Sequence, residues 1–504
     1  MKLRSLIVDI INILFIIPLY YLTKDNNIFL YTLSLYLYLI LSSMFNHIDI
    51  YSNIKNYFDN KYIYSLNTIY KYTNVSIVII NIVLSIVIGL ISLLLNTLFD
   101  IRGLILVNVI MSITLFIKPI LNNMISFVKV YGFNKLGDNI LNIYKITNLI
   151  LLIISGIICF KVLDISDYLS ISFLYGCNII SFILVYLLCH LLVFSNKIKK
   201  KTFRKREERI DYKKEIIEIL SRNKNTSIVK IIKYSYLYIS IVVLFFILKN
   251  RYGYNYDRIS EVINNCYFYA IGIMNIILLI INYFQYNKVE EIKDNINDKM
   301  YELIKIDEYV IDLFKLLLSV VVILSIVSDS LWTILFDNGN GYVLYIFGNL
   351  GLFYIMYDNI VNIYTDSIND KRLYIILLIG MVIKLILVVP LVSSLYRMGY
   401  NLLYGDMLSS VIGYFIVIIL LIFTNRNKLK VDFIHKFDKI LDIIYYNIIL
   451  CIILLLFSLV IPVNVDSFWD GIKVLIVYLV ISFGYIIIRK KIDRNEWVII
   501  KNRK

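Results

Sequence analysis

The sequence predicts an all-α integral membrane protein with about 14 transmembrane helices in two bundles and with both termini in the cytoplasm. Of its 504 residues, 60% are hydrophobic and 17% are charged, and the mean hydropathy is +0.77. Soluble domains carry about 25% charged residues, so a water-soluble globular protein is excluded. Apolar stretches and a biased distribution of positive charge, described next, predict a multi-pass protein of the cytoplasmic membrane.

Fourteen apolar stretches separated by short polar connectors define the expected spans, because about 20 apolar residues cross the hydrocarbon core. The first stretch follows Lys2 and Arg4 and has no small-residue cleavage site. We therefore expect it to remain as a helix rather than to be removed as a signal peptide. The expected spans are 5–22, 28–45, 75–99, 103–128, 146–163, 168–195, 228–248, 263–285, 309–335, 341–363, 373–395, 401–424, 440–462 and 471–488.

The positive charges favour one orientation. With the N-terminus inside, the inner connectors hold 38 Lys and Arg residues, the outer connectors hold six, and seven lysines fall within spans. Cytoplasmic loops retain Lys and Arg, so both termini are expected to face the cytoplasm. The net charge of +15 then follows from topology and attraction to anionic membrane lipids, and it does not indicate nucleic-acid binding.

A basic connector divides the expected spans into six before it and eight after it. We predict an N-terminal six-helix bundle over 1–195, a basic cytoplasmic linker over 196–226 and a second six-helix bundle over 227–424. Two additional C-terminal helices and a cytoplasmic tail are expected over 425–504. Apolar residues also recur at helical spacing among charged residues in Val289–Ile306, which predicts an amphipathic surface helix joining spans 8 and 9.

Two lysines deep in spans are the leading candidates for contact with an anionic substrate. Lys118 directly precedes Pro119 in span 4, and Lys384 precedes Pro390 in span 11. A charged side chain within a span is costly unless it is paired or hydrated. Proline removes a backbone hydrogen bond and bends a helix, so we predict Pro119 and Pro390 as hinges. Packing between helices explains Lys384 equally well.

Four further lysines lie near span ends, where their ammonium groups are expected to reach the lipid headgroups. Two of them, both on span 7, are also kept as cavity candidates. The four are Lys161, Lys230, Lys233 and Lys473, of which Lys230 and Lys233 are the cavity candidates.

Three acidic residues in spans are candidates for ion coupling: Asp9, Asp312 and Asp358. Asp312 lies three residues before Lys315, so the two side chains share a helical face and are expected to neutralise each other. Asp9 and Asp358 have no nearby basic residue in the sequence. Each is expected either to pair with a lysine of another span or to bind a coupling proton or sodium ion.

The sequence shows no pattern typical of catalysis or metal binding. Its three histidines are not at metal-ligand spacing with cysteines or carboxylates. The five cysteines lie in apolar stretches, where cysteine behaves as a small hydrophobic residue. A P-loop is also absent from the sequence. We therefore expect a non-enzyme without a metal or cofactor, and coupling to a proton, to sodium or to the membrane potential stays open.

Three local patterns resemble one group of transporters. Ile16–Tyr20 is similar to the end of that group's first helix, and Ser328–Phe336 is similar to the stretch closing its ninth helix. Gly380–Leu391, followed by Gly399 and Gly413, resembles a Lys-Leu-x-Leu-Asn-x-Pro-Leu helix with its turn and the next helix. With the helix order, these patterns resemble the multidrug/oligosaccharidyl-lipid/polysaccharide (MOP) exporter superfamily, in particular its MurJ and SpoVB branch of lipid-linked precursor flippases.

The resemblance implies a flippase that moves a lipid-linked cell-envelope precursor, either a peptidoglycan lipid intermediate or a polysaccharide repeat unit, by alternating access. Implied partners are the lipid-linked oligosaccharide or pyrophosphate substrate, anionic lipids and cell-envelope synthesis enzymes. The sequence departs from the family at two places. Asp9 stands where the family usually has an arginine, and Phe45–Asp49 replaces a Gly-x-Pro and Ser-Lys pattern. The family's cavity arginines are therefore not recoverable here.

Three alternatives remain. A drug or cation antiporter of the same superfamily would share the fold, and Asp9 in the first span favours it weakly. A membrane glycosyltransferase or polymerase would need sizeable outer loops, whereas the expected outer connectors are short. A diverged relative without transport activity is the third alternative.

Overall fold

The computed structural model shows an all-α protein, with no strand among the residues that it describes. The basic linker predicted at 196–226 lies outside the described residues as far as 223, and Phe45–Asp49 lies outside them as well. The described residues are 3–23, 29–43, 63–99, 103–130, 134–163, 165–189, 224–294, 299–336, 341–364, 370–426, 433–461, 463, 465 and 467–502.

The described residues form seventeen α-helices, numbered in chain order. Three of them, α7, α9 and α10, continue into short π-helical segments at Ile158–Val162, Ile247–Arg251 and Asn264–Ala270. The α-helices are α1 Leu3–Leu14, α2 Ile16–Leu22, α3 Phe29–Ser42, α4 Ile63–Phe99, α5 Leu104–Thr114, α6 Ile117–Val130, α7 Asn134–Ile157, α8 Asp167–Cys189, α9 Lys224–Phe246, α10 Tyr256–Ile263, α11 Ile271–Asp294, α12 Lys299–Phe336, α13 Gly341–Tyr364, α14 Asp370–Arg397, α15 Leu403–Arg426, α16 Phe433–Ser458 and α17 Phe468–Asn502.

These helices confirm the predicted fold class. Within the described part of the chain, 12 segments are long and apolar enough to cross a membrane, and α3 is a shorter apolar helix. The 24-residue helix α13 occupies the position of the tenth expected span. Span 1 is formed by α1 and α2, span 4 by α5 and α6, and span 8 by α10, its π-helical segment and α11. The protein is therefore a multi-pass membrane protein.

Several helices extend beyond the apolar stretches from which they were predicted. Helix α7 begins at Asn134, so Lys145, which the apolar pattern placed in an inner connector, lies inside a helix. The amphipathic surface helix predicted at Val289–Ile306 includes residues 295–298, which lie outside the described residues. Its described parts belong to longer helices, since α11 continues to Asp294 and α12 begins at Lys299.

Proline interrupts spans 1 and 4 but not span 11. The break between α1 and α2 is at Phe15, and that between α5 and α6 covers residues 115–116. Pro18 and Pro119 follow these breaks, and each would clash with the carbonyl of the residue four positions earlier. Pro119 therefore accompanies a helix break, and its role as a hinge stays a prediction. Pro390 lies within the continuous helix α14, so the predicted hinge there is not accompanied by a break.

An exposed apolar stripe on α4 shows which surface the lipid covers. Ile79, Ile82, Ile86, Leu90 and Leu94 recur at helical spacing and are each more than half exposed. Such a face would be buried in a soluble protein. In a bilayer, acyl chains cover it at no hydrophobic cost.

The described chain forms two compact units, residues 1–264 and 265–504. In the first unit, α5 packs against α3, α4 and α8, while α7 packs against α1, α2, α6 and α8. Buried hydrogen bonds join three of these helices: Ser34 donates to Asn108 Oδ1 at 2.7 Å, and Asn108 Nδ2 donates to Ser92 Oγ at 2.9 Å. The predicted domains were divided at the basic linker, and that division stays a prediction.

In the second unit, α14 and α15 pack closely along their lengths, and α12 packs against α13, α16 and α17. Glycine permits the close approach of α14 and α15. A Cβ atom at Gly405 would lie 2.8 Å from the carbonyl carbon of Leu391, and one at Gly380 would lie 3.0 Å from the carbonyl oxygen of Gly413. The turn between the two helices contains Gly399 at a φ of 86°, which favours glycine.

Candidate functional site

Three charged side chains form what we call the cationic site of the first unit: Asp9 on α1, Lys118 on α6 and Lys145 on α7. Lys145 Nζ donates a hydrogen bond to Asp9 Oδ1, and both side chains are about a quarter exposed or less. Lys118 lies within electrostatic range of both. The site therefore contains two ammonium groups and one carboxylate, which leaves one positive charge without compensation inside the set.

Lys118 is an exposed lysine among buried neighbours at the start of α6. Its side chain is exposed, whereas Ile117 and Ile120 on the same helix are 2% and 7% exposed. A charge within a span is costly unless it is paired or hydrated, and the charged groups in electrostatic range of Lys118 are Asp9 and Lys145.

A cluster of four tyrosines lies on neighbouring helices of the same unit: Tyr31 and Tyr38 on α3, Tyr144 on α7 and Tyr175 on α8. The Tyr31 and Tyr175 ring centroids are 5.3 Å apart, and Tyr38 is within electrostatic range of the other three. Tyr144 directly precedes Lys145. Tyrosine hydroxyls donate and accept hydrogen bonds while the rings present apolar faces, so the cluster has the chemistry to contact a polar, ring-containing group.

The other lysine candidates differ in how far their side chains are exposed. Lys230 is half-buried and Lys233 is 3% exposed, both on α9. Lys233 is therefore enclosed by protein. It had been expected to reach the lipid headgroups, and its side chain does not do so. Lys161 is exposed. Lys473 is exposed and pairs with Asp470 at 3.0 Å.

The acidic candidates have different environments. Asp9 pairs with Lys145 of another span, which is one of the two outcomes expected for it. Asp358 on α13 is half-buried and accepts a hydrogen bond from Asn362 at 2.9 Å. Asp312 on α12 is exposed. Its neutralisation by Lys315 and the roles of all three in ion coupling stay predictions.

The second unit holds what we call the buried ionic cluster, formed by Tyr267, Lys384 and Asp406. Lys384 and Asp406 are 2% and 0% exposed, and Lys384 Nζ lies 3.9 Å from Asp406 Oδ1. The Tyr267 hydroxyl donates a hydrogen bond to Asp406 Oδ2. Lys384, predicted as a substrate contact or a packing partner, is therefore enclosed by protein beside a carboxylate.

The apolar pattern missed Lys145 and Asp406. Lys145 precedes the apolar stretch of its span, and Asp406 lies in the first turn of α15, where an acid is typical of a helix N-terminus. The helix that contains Lys145 extends beyond the apolar stretch on which the span was predicted. No sequence signal indicates that Lys145 pairs with Asp9. Among the described residues, no group of three His, Cys, Asp or Glu side chains is arranged to hold a metal ion.

Comparison with solved structures identifies the architecture. The lipid II flippase MurJ in its inward closed conformation matches with a TM-score of 0.63 and 13% identity, over 97% of this chain and 98% of that one. The chain has the fold of MurJ. A multidrug resistance MATE transporter of the MOP superfamily in its inward-facing conformation and a eukaryotic MATE transporter also match. Each has a TM-score of 0.54 and 11% identity; coverage is 85% and 87% of this chain, and 95% and 98% of theirs.

The MurJ-type fold confirms the structural part of the resemblance predicted from the sequence. No family model and no curated protein match the sequence itself. At such low identity, the common element is the arrangement of helices. Function must therefore be argued from the residues that this chain places within the fold.

Proposed function

We propose that this protein is a transporter of the cytoplasmic membrane that flips a lipid-linked, anionic cell-envelope precursor, and that the cationic site binds its phosphate or pyrophosphate group. The observation that carries the proposal is the placement of Lys118 and Lys145 against one carboxylate, Asp9, within membrane-spanning helices. The MurJ-type fold supports it.

The proposal follows from the cost of moving a charged headgroup through hydrocarbon. An anion that loses water without gaining partners is strongly disfavoured in the bilayer core. Ammonium groups in a hydrated crevice replace part of that lost hydration through charge-assisted hydrogen bonds. Lys118 is exposed, and we infer that it faces such a crevice, while the lipid tail stays in the bilayer as the headgroup crosses.

Asp9 gives the cationic site a way to bind and release. In the structure, Lys145 is paired with Asp9, so an arriving phosphate competes with a carboxylate for the same ammonium group. A substrate anion must bind well enough to enter and weakly enough to leave. Competition by Asp9 keeps the affinity moderate, because each hydrogen bond gained by the phosphate requires one lost by the carboxylate.

The tyrosine cluster suggests a saccharide near the phosphate. Tyr38 and Tyr144 are half-buried rather than enclosed, so their hydroxyls and ring faces can be approached. Sugars present hydroxyl groups at their edges and apolar C–H groups on their faces, which match these two surfaces of tyrosine. The substrate class that we infer is therefore a glycosylated lipid phosphate or pyrophosphate, supplied by membrane-bound cell-envelope synthesis enzymes.

The test uses the purified full-length protein in liposomes that contain fluorescently labelled undecaprenyl pyrophosphate. Flipping is measured as the fraction of label protected from a membrane-impermeant quencher. We expect Lys118→Met to slow flipping by about tenfold or more, since a charged hydrogen bond contributes about 1.5–3 kcal/mol. Lys473→Met is the matched control, because this lysine is exposed and pairs at the end of its span. Equal rates for wild type and Lys118→Met would contradict the proposal.

A drug or cation antiporter is the second candidate, favoured by the match to two MATE transporters. An organic cation would need an available carboxylate, whereas Asp9 is already neutralised by Lys145. The same liposomes discriminate between the candidates. Protein-dependent uptake of ethidium that is lost in Asp9→Asn, without lipid flipping, would favour the antiporter.

A further inference from the structure

A buried arginine lies at the end of span 14. Arg489 on α17 is only 8% exposed, and its Nε has no hydrogen-bond partner among the described residues. The two terminal nitrogens also make no hydrogen bond to a described residue, but they are less deeply buried than Nε. Arginine stays protonated in proteins, so it cannot avoid the cost of burial by losing its proton, as a buried lysine can. A compensating group is therefore expected beside it.

The described side chains supply only part of this compensation. Arg489 Cζ lies 4.2 Å from the centroid of the Tyr446 ring on α16. A cation–π contact of this kind returns less than the burial of an unpaired charge costs. Asp442, one turn before Tyr446 on α16, is exposed and forms no ion pair with Arg489. The guanidinium thus lacks an anion among the described residues.

Hydrogen bonds between three helices hold the supporting ring in place. The Tyr485 hydroxyl, one turn before Arg489 on α17, donates to the Tyr446 carbonyl oxygen at 2.7 Å. Ser319 on α12 donates to Asn447 Oδ1 at 2.9 Å, and Asn447 directly follows Tyr446. The guanidinium is therefore positioned before any ligand arrives, which lowers the entropic cost of binding one.

The surface beside Arg489 is apolar. Ile487 and Ile488 on α17 are 58% and 59% exposed, and Leu441 and Tyr445 on α16 are 46% and 62% exposed. Acyl chains cover such a surface in a bilayer. Arg489 directly follows the apolar stretch of span 14, at the end that the charge distribution predicts to be cytoplasmic. The headgroups of inner-leaflet lipids lie at this depth.

A phosphate diester matches the chemistry of this position. One side of the Arg489 guanidinium lies against the Tyr446 ring, which leaves its terminal N–H groups to donate. The planar fork of arginine suits two phosphate oxygens at once. The sequence continues with Lys490 and Lys491, and basic residues on the cytoplasmic side of a span attract anionic lipids. A headgroup with a net negative charge is therefore favoured over a zwitterionic one.

We propose that Arg489 and Tyr446 form a binding site for the phosphate group of an anionic phospholipid of the inner leaflet. The guanidinium donates hydrogen bonds to the phosphate oxygens, and the acyl chains lie along the exposed apolar residues of α16 and α17. The site belongs to the second unit, whereas the cationic site belongs to the first. The inference does not rest on the proposed function, because this lipid is bound and not transported.

The test measures binding of phosphatidylglycerol to the purified full-length protein by native mass spectrometry, which resolves each bound lipid. Arg489→Met removes the guanidinium. Arg397→Met is the matched control, because it removes an exposed arginine of α14 in the same unit. We expect the affinity for the first lipid to fall about tenfold or more in Arg489→Met, since a charged hydrogen bond is lost, and to stay unchanged in the control. Equal affinities of wild type and Arg489→Met overturn the inference.

Thermal unfolding in an uncharged detergent separates a lipid site from a purely structural arginine. Without lipid, removing an unpaired buried charge should leave the unfolding temperature unchanged or raise it. Phosphatidylglycerol should then raise the unfolding temperature of wild type and Arg397→Met but not that of Arg489→Met, because a ligand stabilises the native state that binds it. If Arg489→Met unfolds earlier without lipid and gains as much from phosphatidylglycerol as wild type, the arginine only packs against Tyr446 and the inference is wrong.

Two further ligands identify the source of the phosphate. Phosphatidylcholine carries the same phosphate in a zwitterionic headgroup, and inorganic phosphate carries no acyl chains. We expect each to raise the unfolding temperature of wild type less than phosphatidylglycerol does. Equal stabilisation by phosphatidylcholine overturns the inference of an anionic lipid, and equal stabilisation by inorganic phosphate shows a site for a soluble anion instead.

A second variant keeps the inference testable if Arg489→Met does not fold. Arg489→Lys retains the positive charge but lacks the planar fork. We expect it to bind phosphatidylglycerol about threefold or more weakly than wild type, because one hydrogen bond to the phosphate is lost. An affinity equal to that of wild type would overturn the inference.

Discussion

Gly405→Ala tests whether the close approach of α14 and α15 holds the second unit together. The added Cβ would lie 2.8 Å from the carbonyl carbon of Leu391. Because this neighbour is backbone, the clash cannot be relieved by a rotamer change. Overpacking of this kind costs about 1–3 kcal/mol, whereas alanine in place of glycine in a helix contributes about 0.5–1 kcal/mol. We expect Gly405→Ala to lower the free energy of unfolding by about 1–2 kcal/mol.

Gly484→Ala provides the matched control. Gly484 lies within α17, and a Cβ there would have no atom within 4 Å. The control should therefore stabilise the helix by about 0.5–1 kcal/mol through propensity alone. Thermal unfolding of both purified variants in one detergent measures the difference, with membrane abundance as a second readout. If Gly405→Ala unfolds at or above the temperature of Gly484→Ala, the reasoning from helix contact is wrong.

Three further predictions concern the first unit. Asp9→Asn and Lys145→Met should each lower the free energy of unfolding by about 1–2 kcal/mol, and the double variant should lower it by less than the sum of the two. Chemical unfolding measures these changes, and additive effects would show that the two side chains do not interact. Asn108→Ala should lower the free energy of unfolding by about 2 kcal/mol, because two buried hydrogen bonds are lost. Thr97→Ala, at an exposed position, is the control and should leave the unfolding temperature unchanged. Pro119→Ala should slow flipping without lowering membrane abundance, because restoring the missing backbone bond stiffens span 4; an unchanged flipping rate contradicts this.

The spans were predictable because their length and apolarity are properties of contiguous sequence. The boundaries of the spans were harder to predict. Helix α7 continues into polar sequence, where packing rather than apolarity stabilises the helix. Lys145 was therefore assigned to a connector. Lys118 and Asp9 were identified as unusual intramembrane charges, which needs no knowledge of tertiary structure.

The partners of these charges could not be predicted. Asp9 and Lys145 are 136 residues apart in sequence, and Tyr267 and Asp406 are 139 residues apart. Such pairs depend on which faces of which helices meet, and single-sequence periodicity assigns a face without naming its neighbour. Asp406 also resembles an ordinary acid at a helix N-terminus, so its enclosure by protein gave no signal.

The break in span 1 allows Asp9 to move farther than the two lysines of the cationic site. Asp9 lies six residues before Phe15, a lever arm of about 9 Å, so a bend of about 20° at that residue would displace it by about 3 Å. Lys118 lies two residues after the corresponding break in span 4 and would move by only about 1 Å. Lys145 belongs to an α-helix that is continuous from Asn134 to Ile157. Flexing of the first span would thus withdraw the carboxylate from a nearly stationary pair of ammonium groups, switching their net attraction for a passing anion on and off.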